Sequence, residues 1–258
     1  MKRMFVAGLI VVATALTAAS VQAQDNAPQL TPAPAVADVA AAALPVDEGG
    51  AKRFVKDVGS DYKHFVSVET AVWLGVGGAA ALGMHAADDE IYEEASSASL
   101  TGGDQYGSLL VQFPLAAGWW IIGHAVGSGR EAAAGRDLLR AQISAVSWTY
   151  VGKFAVNRDR PNGDPRSFPS GHSSATFATA MVLQEHYGWK FGVPAFAAAA
   201  YTAASRVAAE KHWASDVVFG AFVGMASART VTIRFRGARA SLAPLAAPGG
   251  GGVLVEVK

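Results

Sequence analysis

From about residue 51 onward, apolar positions recur at helical spacing, and no run alternates for more than a few positions until the C-terminus. Gly, Pro and charged clusters interrupt these long Ala-, Leu- and Val-rich stretches. The pattern predicts an all-α helical bundle, with helices near 52–68, 70–86, 105–127, 131–156, 172–187, 194–209 and 213–230. No internal repeat is visible. After residue 230 the chain becomes Gly-rich, with short β-like pieces at 231–235 and 253–257 that fit a small hairpin or a loose end.

The N-terminus follows a different pattern. "MKR" precedes the apolar run "MFVAGLIVVATALTAA", and small residues at Val21 and Ala23 precede a cleavage position after Ala23. Residues 1–23 therefore read as a secretory signal peptide, which implies export to a periplasmic location. The Ala- and Pro-rich stretch 24–50 lacks a sustained apolar period and reads as a linker. Residues 51–236 form the expected helical domain and 237–258 a Gly-rich tail. Within the domain, 71–87 and 109–126 approach membrane-spanning length, about 20 apolar residues. They rest on Ala and Gly, however, and the second contains Gln112, Pro114 and His124. Both are expected to be core helices of a bundle.

Composition removes several classes of chemistry. The 258 residues carry 21 Lys and Arg against 21 Asp and Glu, so the broad basic field required by non-specific nucleic-acid binding is absent. Without cysteine there are no disulfides, thiolate nucleophiles or Cys-ligated zinc. The acidic stretch "HAADDEIYEEA" at 85–95 lacks the Gly-centred loop of a calcium site and reads as a solvated loop and helix start. His64, His85, His124 and His186 show no partner pattern.

Three patches carry candidate chemistry. "GKFAVNRDRP" places Lys153 seven residues before Arg160; "FPSGHSSATF" places His172 at the start of a helix; "SRVAAEKHWASD" sets Arg206 before His212, with Asp216 four residues beyond. A phosphoryl group in transfer is stabilised mainly by placed cations and amide donors. Lys153, Arg160 and Arg206 supply the cations, and the arginines can grip oxygens with two N–H groups. Amides near Ser170, Gly171 and His172 would form an anion site at a helix N-terminus, with Gly171 allowing close backbone approach. His172, Thr176 and Thr179 would share one stripe of that helix. An i, i+4 placement of His212 and Asp216 on a helix would let the carboxylate orient the ring. Taken alone, these patches do not decide which histidine attacks. Arg158, Asp159 and Arg166 flank them and could line an entry or lie on the surface.

K-x6-RP, PSGH and SR-x5-H-x3-D, in that order, resemble the signature motifs of the type 2 phosphatidic acid phosphatase and vanadium haloperoxidase superfamily. All eleven fixed positions match: Lys153, Arg160, Pro161, Pro169, Ser170, Gly171, His172, Ser205, Arg206, His212 and Asp216. The resemblance covers about residues 100–230 and implies a helical bundle with a phosphate pocket free of metal and cofactor. It also implies that His212 attacks phosphorus to form a phosphohistidine while Asp216 orients its ring. His172 would protonate the leaving oxygen and then activate water. Lys153, Arg160, Arg206 and the amides around Ser170 and Gly171 would hold the oxygens. The expected activity is phosphatase action on a phosphate ester, with a membrane lipid among the candidate substrates. A vanadate-dependent haloperoxidase and a non-catalytic phosphate-binding envelope protein are the alternatives. Chain length disfavours the first, and the intact motif set disfavours the second.

Overall fold

The computed structural model describes residues 48–232, 240–247 and 250–257. The signal-peptide reading, most of the linker and part of the tail lie outside those residues. The helices are α1 (Glu48–Phe65), α2 (Val68–His85), α3 (Asp88–Ala95), α4 (Gly103–Gly107), α5 (Leu109–Ala125), α6 (Gly129–Val156), α7 (Gly171–Tyr187), α8 (Trp189–Ala208) and α9 (Ala214–Thr232). Two strands follow, β1 (Ala240–Ala247) and β2 (Gly250–Val257), paired antiparallel from Ala240 opposite Val257 to Ala247 opposite Gly250.

The all-α expectation holds, with local corrections. The expected linker already turns helical at Glu48, and Val231 and Thr232, which open the expected β-like piece, belong to α9. The predicted helix 105–127 breaks at Ser108, whose ψ of 148° is extended. Gln112 Nε2 spans that break with a 2.7 Å bond to the Tyr106 carbonyl. Helix α8 begins at Trp189 rather than at Pro194, so the proline lies inside the helix. Ser67 and Ser128 cap α2 and α6 by accepting from Thr70 N and Glu131 N, and Asn157 ends α6 at φ 47°, a left-handed conformation open to Asn.

Helix α7 runs through the middle, packed by α6, α8 and α9. Small residues permit this closeness. A Cβ on Gly224 would lie 2.1 Å from the Ser174 carbonyl oxygen, and one on Gly220 2.6 Å from that of Ser170, so α9 crosses directly on the first turns of α7. The surrounding core is built from Ala116, Leu138, Ala141, Ala178, Val182 and Val231 with their neighbours. A buried ion network ties α1 to α6 and α7: Arg140 donates to Asp61 at 2.5 and 2.8 Å and to Asp137 at 3.0 Å, and His186 meets Asp137 at 3.1 Å. His186 thus has a partner that the sequence pattern did not reveal.

The expectation that 71–87 and 109–126 are core helices is corrected. Helix α2 buries only Thr70, Gly77 and Ala81, while α5 buries only Gln112, Ala116 and Gly123. Val68, Val72, Val76, Leu82, Leu110 and Ile122 are exposed. These helices lie on the surface with apolar outward faces. Among the described residues, no single helix is long and apolar enough to cross a membrane, although α1 and α2, bent by 62° at their junction, meet the length and composition requirement together.

Candidate active site

The three sequence patches converge on one polar cavity of about 210 Å³, whose walls include Lys153, Arg160, Gly171, His172, Arg206 and His212. Lys153 comes from the last turn of α6 and Arg160 from the segment that follows it. Gly171 and His172 open α7, and Arg206 lies in the last turn of α8. After α8 the chain turns sharply through Glu210, at φ 57°, and His212 N returns 3.2 Å to the Arg206 carbonyl. This turn explains the spacing between the SR pair and the second histidine. His212 therefore precedes α9 and is not on a helix as expected, whereas Asp216 lies in the first turn of α9.

His212 is 3% exposed and Asp216 is fully enclosed. The Nδ1 of His212 lies 3.7 Å from Asp216 Oδ2 and 3.5 Å from the Ser167 hydroxyl. Ser167 donates to that same carboxylate oxygen, and Trp213 N donates to it at 2.9 Å. With Nδ1 turned toward this group, Nε2 is the nitrogen left for the cavity. Burial, countered in part by Asp216, pushes the His212 pKa down to about 4, so the ring is neutral and nucleophilic near pH 7. Burial would raise Asp216, but contacts from the His212 ring, Ser167, Trp213 N and Arg158 outweigh it and hold the carboxyl below its ordinary value.

Two guanidinium nitrogens, Arg160 Nε and Arg206 Nε, are buried without a hydrogen-bond partner. Unsatisfied buried donors on a cavity wall are what an anion would repair. Lys153 Nζ donates to the carbonyls of Arg166 at 2.7 Å and Ser167 at 3.2 Å, with burial and then Arg160 lowering its pKa to about 8. Gly171 meets nothing of the protein closely: an added Cβ would find only Thr149 Cγ2, at 3.8 Å. Its open side is toward the cavity. Ser170 lies beneath the wall, fully buried, with N–H committed to the Asp216 carbonyl at 3.0 Å and hydroxyl capping Ser173 N at 3.4 Å. The amides of Gly171 and His172 belong to the first helical turn, where no intrahelical acceptor exists. Of the expected stripe, only His172 reaches the cavity wall. Thr176 bonds back to the His172 carbonyl and Thr179 joins Gln112 and Gln142 in the core.

Sequence reasoning missed Asp104. It sits on the short α4, where a Cβ on Gly103 would fall 2.2 Å from Ser205 Oγ and one on Gly107 2.9 Å from His172 Cδ2. This close approach brings the Asp104 carboxylate, 62% exposed, onto Arg206 and to within 3.1 Å of His172 Nε2. Burial and then Arg206 lower the His172 pKa, against a raising contribution from Asp104. No sequence pattern around "GGDQYG" signals such a role. The acidic stretch also proves structured: it forms α3, where Asp88 is buried and pairs with Arg158 at 2.8 Å and His85 at 2.8 Å. Arg158, read as an entry or surface residue, instead bridges Asp88 and Asp216. Among the described residues, no three His, Asp or Glu side chains converge as metal ligands.

The family model described as PAP2 superfamily matches residues 136–239, a stretch that contains every motif position above. That segment, less than half of the chain, is similar to the PAP2 superfamily. Lipid A 1-phosphatase of Porphyromonas gingivalis is 39% identical over 79 residues, 29% of this chain and 18% of that protein. Lipid A 4'-phosphatase of Helicobacter pylori is 35% identical over 79 residues, 31% of this chain and 40% of that protein. The chain thus spans less than half the length of either relative. The crystal structure of the first transmembrane PAP2-type phosphatidylglycerolphosphate phosphatase from Bacillus subtilis shares the fold at a TM-score of 0.55 and 22% identity, covering 67% of this chain and 96% of that one. The matched segment contains the three cations and both histidines, while Asp88 and Asp104 lie before it.

Proposed function

We propose that this protein is a metal-independent phosphatase that releases phosphate from a phosphorylated lipid through a phosphohistidine on His212. The observation that carries the chemistry is a neutral, buried His212 and a second histidine, His172, on one small cavity with three cations, two of whose guanidinium nitrogens lack partners. In the first step the His212 Nε2 lone pair forms the N–P bond as the P–O bond to the leaving group breaks, and protonated His172 delivers a proton to that oxygen. In the second step His172 takes a proton from water, whose oxygen attacks phosphorus and returns His212 free. Lys153, Arg160, Arg206 and the first-turn amides of α7 stabilise the equatorial oxygens.

The lipid preference rests on the cavity's surroundings. Leu109 and Tyr150 line it, and next to them Leu110 (88% exposed), Val151 and Phe154 present apolar side chains to the outside. Such a rim favours a leaving group that carries hydrocarbon and an enzyme that works against a membrane surface. The named activities of the two lipid A phosphatase relatives support the same reading, and the signal-peptide pattern of residues 1–23 supports a periplasmic setting.

The test is phosphate release from a soluble aryl phosphate and from a micellar lipid monophosphate, both in EDTA. The expected result is undiminished release in EDTA, with the lipid hydrolysed faster. A requirement for added magnesium overturns the mechanism, and indifference to the lipid overturns the preference. The pH profile is a second expected outcome. Attack requires His212 unprotonated, so kcat/KM rises as pH passes about 4. Leaving-group protonation requires charged His172, whose pKa is below the ordinary imidazole value, so kcat/KM falls again before neutrality. An alkaline optimum would contradict these roles.

A further inference from the structure

Between the nucleophile and the far surface runs a second charged path that phosphate binding does not use. Arg158 NH1 donates to Asp216 Oδ1 at 2.9 Å, and its NH2 donates to Asp88 Oδ2 at 2.8 Å. Asp88 in turn accepts from Ser215 N at 2.9 Å and from the Ser215 hydroxyl at 2.6 Å, so a residue of α3 holds the first turn of α9. NH1 of Arg158 also donates to that hydroxyl at 2.7 Å, and its guanidinium lies over the Trp213 ring at 5.1 Å. Every donor around the Asp216 carboxylate is thus sorted: Oδ1 takes Arg158, and Oδ2 takes Ser167 and Trp213 N on the side facing His212.

We propose that Arg158, anchored by Asp88, is a positioning residue that fixes the Asp216 carboxylate and thereby the ring of His212; this rests on the phosphatase reading above. Oδ1 has no other hydrogen-bond donor among those described, so without Arg158 the carboxylate is held at one oxygen only and can rotate. Lysine keeps the charge but cannot bridge two carboxylates with a rigid fork. Positioning of this kind acts on the chemical step and leaves substrate affinity to the cations across the cavity.

The experiment is steady-state kinetics on a soluble aryl phosphate for Arg158→Lys, Asp88→Asn, Asp216→Asn, the Arg158→Lys/Asp216→Asn double variant and His212→Ala. Arg158→Lys is expected to lower kcat about tenfold, the scale on which orienting partners one shell out act, with KM nearly unchanged. In the double variant it should add nothing to the loss caused by Asp216→Asn alone. Asp88→Asn, which keeps the shape of the anchor, should reproduce the kcat loss and carries the test if Arg158→Lys fails to fold. Unchanged kcat in both single variants, multiplying losses in the double variant, or a raised KM with normal kcat overturns the proposal. Release surviving in His212→Ala overturns the phosphatase reading itself, whereas an inactive His212→Ala with multiplying losses overturns only the role of Arg158.

Discussion

Replacing His212 by alanine is expected to reduce phosphate release by about 10⁴-fold or more, on the scale of removing the attacking member of a catalytic constellation, while inorganic phosphate still binds. The ring is buried and neutral, its Nδ1 is turned to the Asp216 and Ser167 side, and it lines the same cavity as the three cations. His172 does not take its place: it is on the wall, but its Nε2 is held by the exposed Asp104 carboxylate at 3.1 Å, with Arg206 beside it, and it lacks a buried partner of the Asp216 kind. Affinity should persist because Lys153, Arg160 and Arg206 remain. The unpartnered Nε atoms of Arg160 and Arg206 do not depend on the histidine. Titration calorimetry with phosphate, beside turnover on an aryl ester, reads both halves. Near-normal turnover would remove His212 as the nucleophile, and loss of phosphate binding would show that the imidazole also organises the cations.

The all-α class, the convergence of the three patches and the cation set were legible because each rests on local grammar. Helical spacing, a Ser-Gly helix start and basic residues at fixed offsets are written in adjacent positions. What was illegible depends on contacts between distant segments. Asp104 reaches Arg206, 102 residues away, only because Gly103 and Gly107 let α4 lie on α7 and α8. Asp88 meets Ser215 across 127 residues, so its burial could not be distinguished from solvation by inspecting an acidic stretch. His212 was expected on a helix because i, i+4 spacing implies one. The turn through Glu210 achieves the same nearness without it. Alanine-rich runs were ambiguous for a physical reason: small residues permit close packing and also weaken the distinction between an inward and an outward face. Helices α2 and α5 kept apolar side chains on the outside.

Asp216→Asn tests the second half of the site. The carboxylate accepts from Arg158 on Oδ1 and from Ser167 and Trp213 N on Oδ2, so it serves donors on both sides. Asparagine has one acceptor oxygen and one donor group. With its oxygen toward Trp213, its NH₂ opposes the Arg158 guanidinium. In the flipped orientation its NH₂ opposes Trp213 N and offers a proton to His212 Nδ1, which favours the tautomer protonated on Nε2 and removes the attacking lone pair. Either outcome should lower kcat by about 10³- to 10⁴-fold, as when the orienting aspartate of a serine protease is replaced, with KM little changed and the helical circular dichroism preserved. The acid limb supplies a further check. Asp216 raises the pKa of His212 against the burial that depresses it to about 4. Neutralising the carboxylate removes that support, so the limb of kcat/KM should move to lower pH as the rate falls. Loosening of the bundle would do the opposite, because solvating the ring returns its pKa toward the ordinary value and moves the limb upward.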